Sequence, residues 1–175
     1  MKRILIWAAI LSGGLVVIAL LAGLALYPVG VQQLNRSRPG VPVEAIAVPA
    51  GPDAVAQGKH VAVETACAEC HGAGLSGKLL ADVPIVGTVP APNLTSGRGG
   101  IAGSYSDADW VRAIRQGVRP DGRSEFFMYD YSTVSDQDLG ALIAYLKQIQ
   151  PVDSEYPAMH VGPLAAVVLA VWHPR

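Results

Sequence analysis

Both cysteines of the chain and one of its four histidines fall within five consecutive residues, Cys67-Ala68-Glu69-Cys70-His71. So compact a set of sulfur and nitrogen donors points to three chemistries: a redox disulfide, a zinc site, or attachment of a haem. Structural zinc needs four protein ligands. The chain has no second cysteine pair, and His60, His160 and His173 form no H-x(3–5)-H pair. A thioredoxin-type centre needs its CxxC within a βαβ pattern, and no such pattern is present. A disulfide between Cys67 and Cys70 would be unusually short. C-x-x-C-H is the attachment signature of c-type haem, and its spacing suits that use. Two thiols three positions apart at a helix end reach different vinyl groups, and the adjacent imidazole lies under the iron.

A low-spin electron carrier needs a sixth ligand from the other face. Met1 falls in the N-terminal apolar run and Met159 lies beyond the last expected helix, whereas Met128 sits in the loop "EFFMYDYS". Met128 is the expected ligand. His60 is the rival, but it lies on the helix leading into Cys67 and is poorly aimed for the distal side.

Several elements must position these residues. Residues 4–26 form a 23-residue run without charge, with Ser12 its one polar side chain. At about 1.5 Å per residue it covers a hydrocarbon core of roughly 30 Å. It exceeds the h-region of a cleaved signal, which is the alternative reading through Gly23-Leu24-Ala25, and a retained anchor is expected over residues 1–35. Lys2 and Arg3 precede the run while Arg36 and Arg38 follow it, so charge alone leaves the orientation open. Residues 36–52 carry Pro39, Pro42, Pro49 and Pro52. This density predicts a stiff, extended tether, whose 17 residues reach about 50 Å.

A folded domain is expected over 53–151. Its first helix opens at Pro52-Asp53, with Asp53 as N-cap or first-turn acid, and runs to about Thr65. Residues 72–104, dense in glycine and proline, read as loop. A helix resumes after Ser106, with Asp109 completing a capping box and Gly117 ending it. The last begins after Ser135 and carries the stripe Leu139, Leu142, Ile143 and Leu146. No stretch alternates well enough to be a strand, so the domain is mostly α. The tail, 152–175, holds a second apolar run at 161–172, too short to span a bilayer. A helix packed on the domain or a partner subunit is expected, with contact at the membrane interface as the alternative. A net charge of −1 excludes a nucleic-acid partner.

With these elements in order, residues 53–152 resemble the class I cytochrome c fold. They are most similar to the haem domains of cytochrome subunits of bacterial membrane-bound dehydrogenases. The likeness rests on "CAECHG", "APNLTSG" followed by "GGI", "YSDADWVRAIRQGVRPDGR", the Met128 loop and "VSDQDLGALIAYLKQIQPV". It implies Cys67 and Cys70 as thioether residues and His71 and Met128 as axial ligands. It also implies the Pro92 carbonyl, in the Pro-Asn-Leu match, as acceptor for the free ring nitrogen of His71, with Pro84 as second candidate, and Asn93 beside it as a further cofactor-binding residue. Gly58 and Tyr145 are the implied crossing point of the first and last helices. Tyr129 stands where that pattern usually has proline after the methionine. A single motif implies one covalently attached haem c.

Arg112, Arg115, Arg119 and Arg123 read as a solvated face, with neutralisation of a haem propionate by one of them as the functional alternative. Trp110 reads as core. Haem c is attached outside the cytoplasmic membrane, so a single-pass chain with its haem domain on the periplasmic or extracytoplasmic side of a bacterial cytoplasmic membrane is expected. The expected function is one-electron transfer, without enzyme activity. The expected partners are a membrane-embedded redox complex (a dehydrogenase or quinol-oxidising complex, an oxidase or a reaction centre), another cytochrome, and the lipid bilayer through the N-terminal helix. A haem enzyme or a gas sensor with an open or displaceable distal site is the alternative.

Overall fold

The computed structural model describes residues 2–38 and 40–172. A long helix, α1 (Lys2–Leu34), leads the chain, and its apolar stretch is exposed along its length, long and apolar enough to cross a membrane. The domain is then built on α2 (Pro52–Glu64), α3 (Cys67–His71), α4 (Asp107–Gln116) and α5 (Asp136–Leu146).

Local signals set the limits of these helices. Pro52 occupies the first turn of α2, where its missing N–H is no loss, and Gly51, not Asp53, is the N-cap. Ser106 Oγ accepts from Asp109 N at 3.2 Å, while Asp109 Oδ2 accepts from Ser106 N at 3.0 Å, closing the capping box of α4. Gly117 ends that helix in the left-handed region, at φ 59°. Ser135 Oγ caps α5 by accepting from Asp138 N at 3.1 Å.

The stripe read from sequence is the core of α5: Leu139, Leu142, Ile143 and Leu146 are buried and pack with Val61 of α2 and with Trp110, Val111 and Ile114 of α4. Gly58 makes the α2–α5 crossing possible. A Cβ there would strike the carbonyl of Ala141 and come within 2.8 Å of Tyr145 Cβ. The expected pair is the observed one.

Residues 72–104 are not all loop. β1 (Lys78–Val83) and β2 (Gly87–Ala91) form an antiparallel hairpin, bulged between Leu79 and Ala81, and β2 pairs on its other edge with β3 (His160–Val161). The sheet order is β1-β2-β3. β2 does alternate, with Gly87, Val89 and Ala91 inward and Thr88 and Pro90 less buried. Its inward residues are mostly small and its outward ones include a proline, so the sequence carries little contrast. β1 is exposed nearly throughout and has no inward face to announce it.

The proline-rich segment is extended, but it is not a free tether. Arg38 N donates to Gly122 O at 2.8 Å, and Gln116 Nε2 to Pro42 O at 2.6 Å. Val43, Ile46 and Val48 pack on the core, and Gly140 leaves room for the carbonyl of Ala47. The segment is therefore a strap across the domain, and the reach of about 50 Å is spent lying along it. Pro39 falls outside the described residues.

The tail also returns. Its helix, α6 (Pro163–Val171), packs on the C-terminal end of α1, with Val161, Ala166 and Leu169 against Val31 and Leu34. Gly30 has no room for a side chain, since a Cβ would meet the Ala166 carbonyl. His173 lies outside the described residues.

Candidate cofactor site

The Cys67–His71 motif is set off from α2 by a sharp break. Thr65 ends α2, with its Oγ1 donating to Val61 O at 2.7 Å, and Ala66 turns into the left-handed region at φ 54°. The break redirects the chain so that α3 begins at Cys67. Tyr131 fixes the corner from outside through Oη to Thr65 O at 2.8 Å. Cys67 and Cys70 then fall at i and i+3, on one side of a short helix, and His71 closes it. Gly77 N donates to His71 O at 2.7 Å, holding the next turn in place.

His71 Nδ1 lies 2.9 Å from Pro92 O. A carbonyl can only accept, so Nδ1 carries the proton and Nε2 keeps its lone pair. Burial pushes the imidazole below its ordinary pKa, opposed by the Pro92 contact. Neutral imidazole with one ring nitrogen anchored and the other free is the form that binds metal. Pro84, in the β1–β2 turn, is not the acceptor.

Asn93 is only 1 % exposed and its amide is fully engaged. Nδ2 donates to Val152 O at 2.7 Å, and Oδ1 accepts from Thr95 N at 2.9 Å. Thr95 Oγ1 accepts from Val152 N at 3.0 Å. The side chain thereby pins the loop carrying Pro92 to the segment after α5. Asn93→Ala would remove the amide's bonds to the carbonyls of Val152 and Ser154 and to the buried Thr95 N–H. A loss of about 2–4 kcal/mol is expected, read as a lower denaturant midpoint with unchanged slope.

Cys67, Cys70, His71, Pro92 and Met128 all line one open cleft. Most of the remaining wall is apolar, including Val89, Leu94, Ile101, Ile114, Leu142 and Leu146. Tyr105 and Tyr131, also on it, have phenols pushed up to about 12, chiefly by burial, and stay neutral. The carboxylate on the wall, Glu125, is held by Arg119 through two bonds of 2.7 and 3.0 Å.

Two features of the wall go beyond the sequence expectations. Met159, although it follows the last domain helix, lines the same cleft as Met128. Trp110 is core, as expected, yet its buried Nε1–H has no partner among the described residues and its ring also lines the cleft. No local signal marks either residue, since both are placed by packing between distant segments.

Arg112, Arg115 and Arg119 are only partly exposed, whereas Arg123 is solvated as expected. Each is paired: Arg112 with Asp109, Arg115 with Asp136, Arg119 with Glu125, and Arg123 with Asp121. Arg119 alone of the four borders the adjoining groove, shared with Tyr105 and Tyr156. His60 is exposed beside Glu64, away from the cleft. Among the described residues, no three His, Cys, Asp or Glu side chains converge to hold a metal ion.

Paired thiols beside an imidazole with a free Nε2, on the wall of an apolar cleft that also holds an unpartnered indole N–H, fit a covalently bound haem. They define a c-type haem domain. The family model for cytochrome c matches residues 55–150, more than half of the chain, and the protein belongs to the cytochrome c family. Similar proteins include one of the subunits of nicotinate dehydrogenase from Pseudomonas putida, 36% identical over 109 residues, covering 58% of this chain and 9% of that protein. The fructose dehydrogenase cytochrome subunit of Gluconobacter japonicus is 29% identical over 124 residues, 66% of this chain and 26% of that protein. The gluconate 2-dehydrogenase cytochrome c subunit of Pantoea cypripedii is 34% identical over 116 residues, 59% of this chain and 26% of that protein. In all three the match spans about a quarter or less of the relative's length.

Proposed function

We propose that this protein is a membrane-anchored cytochrome carrying one haem c, which passes single electrons to or from a dehydrogenase or another membrane redox complex. Bound haem supplies an iron that alternates between ferrous and ferric states. The observation that carries this reading is the His71 Nδ1–Pro92 contact, which leaves Nε2 free in the cleft that Cys67, Cys70 and Met128 also line.

Each residue has a defined task in this reading. Cys67 and Cys70 fix the porphyrin to α3, and His71 supplies one axial bond whose direction and basicity are set by the Pro92 carbonyl. Met128 supplies the second axial ligand, a thioether that raises the potential relative to many other sets. The apolar wall excludes water, and the Trp110 Nε1–H is available to a propionate. α1 spans the cytoplasmic membrane once, with the domain on the periplasmic side, where haem c is attached. The names of the relatives, cytochrome subunits of dehydrogenases, support a dehydrogenase as the partner class and the role of carrier over that of catalytic subunit.

The test is a comparison of the two methionines on the cleft wall. Met128→Leu should abolish the weak long-wavelength charge-transfer band of the oxidised protein, whereas Met159→Leu should preserve it. Met128→His should keep a six-coordinate low-spin iron at a more negative potential, measured by redox titration. Loss of the band in Met159→Leu alone would transfer the ligand role to Met159. A band unaffected by either substitution would remove methionine ligation from the proposal.

A further inference from the structure

α6 is apolar on both of its faces. One face, Ala166, Leu169 and Ala170, is buried, with Ala166 and Leu169 against α1. The other presents Leu164, Val168, Val171 and Trp172 at i, i+4, i+7 and i+8, exposed at 50%, 46%, 66% and 59%. A surface helix of a water-soluble domain would carry charge on that side, yet residues 161–172 contain none.

The β1–β2 turn extends this face. Leu164 N donates to Ile85 O at 2.9 Å and Gly162 N to Val86 O at 2.8 Å, which brings Val83 and Ile85, 47% and 56% exposed, to the start of α6.

The height of this patch is fixed by α1. The apolar run ends at Leu26, and Gly30, which abuts Ala166, lies four residues or about 6 Å further along the axis. The polar zone on each side of a bilayer is about 5–7 Å deep, so α6 lies at the level of that zone. Residues 4–35 and 161–172 are free of charge, and Arg36 is the first cation beyond. Tyr27 and Trp172, both exposed, are residue types that favour this depth.

We infer that the exposed face of α6 and the β1–β2 turn form a seat inserted into the outer lipid interface, so that the haem domain rests on the bilayer in one orientation. The occupant is lipid, because the patch continues the lipid-facing surface of α1 without a charged break. This rests on the proposed spanning role of α1, and the experiment separates the two.

Full-length holoprotein is reconstituted in phosphatidylcholine vesicles containing a lipid with a diazirine in its acyl chain, irradiated, and mapped by peptide mass spectrometry. Carbene adducts are expected on α1, on residues 164–172 and on residues 83–85, with none on Val63, an exposed valine of α2. Val168→Asp with Val171→Asp, both at exposed positions, should lower labelling of 164–172 by about tenfold or more while α1 is labelled as before. Adducts on α1 alone overturn the seat and leave the anchor standing. Absence of adducts on α1 overturns both. Adducts on α1 alone, with 164–172 shielded from hydroxyl radicals only when a partner protein is added, would assign the face to protein instead of lipid.

Discussion

Protein denatured in SDS is expected to keep its haem, visible as a haem-stained band at the position of the polypeptide. Treatment with acid acetone should fail to extract it. The reason lies in α3, where Cys67 and Cys70 lie one turn apart on the cleft wall, beside the imidazole that would bind iron. Axial bonds alone are lost when the fold is lost, whereas thioether bonds survive. Cys67→Ala with Cys70→Ala should abolish the stain, and each single variant should retain part of it through the remaining thiol. Extraction of all haem from the wild-type protein would remove covalent attachment, and with it the proposed function.

The second large effect concerns packing away from the cleft. Gly58→Val places a Cβ, carrying two methyl groups, against the Ala141 carbonyl and within 2.8 Å of Tyr145 Cβ of α5. Neither is the far end of a flexible side chain, so α2 and α5 must move apart. Overpacking of this kind costs about 1–3 kcal/mol and sometimes more, and the upper end is expected here because the obstacle is backbone. Against total stabilities of about 5–15 kcal/mol, that is a large share. Gly103→Ala is the control, since nothing lies within 4 Å of the added Cβ and its φ is not positive. The measurement is the denaturant midpoint of both variants by far-ultraviolet circular dichroism. Equal midpoints would show that the crossing tolerates separation.

What can be read from the sequence divides by range of interaction. The caps of α4 and α5 are contacts over three residues, and the stripe Leu139–Leu142–Ile143–Leu146 repeats at the helical period, so both are legible without any tertiary contact. The Cys67–His71 motif and its Pro92 partner are equally legible, the motif by spacing and the partner by likeness to the family. The sheet is not, because β2 finds its second neighbour at His160–Val161, more than seventy residues away. The strap is hidden for a related reason: proline density reports stiffness, and nothing local says whether a stiff segment lies on a surface or leaves it. The position of Met159 after α5 likewise conceals its place on the cleft wall. The contact that the Asn93 amide makes with residue 152 is also one that no neighbouring residue foretells.

The fastening of the Pro92 loop bears on the order in which the site is completed during synthesis. Residues 67–92 leave the ribosome well before Val152, whose carbonyl anchors Asn93, and before Tyr156, whose hydroxyl donates to Gly77 O at 3.0 Å. Met159 and the whole of β3 come later still. The thiols are thus made first and the pieces that immobilise their surroundings last. A chain still being synthesised therefore holds both cysteines before the residues that fasten the Pro92 loop exist.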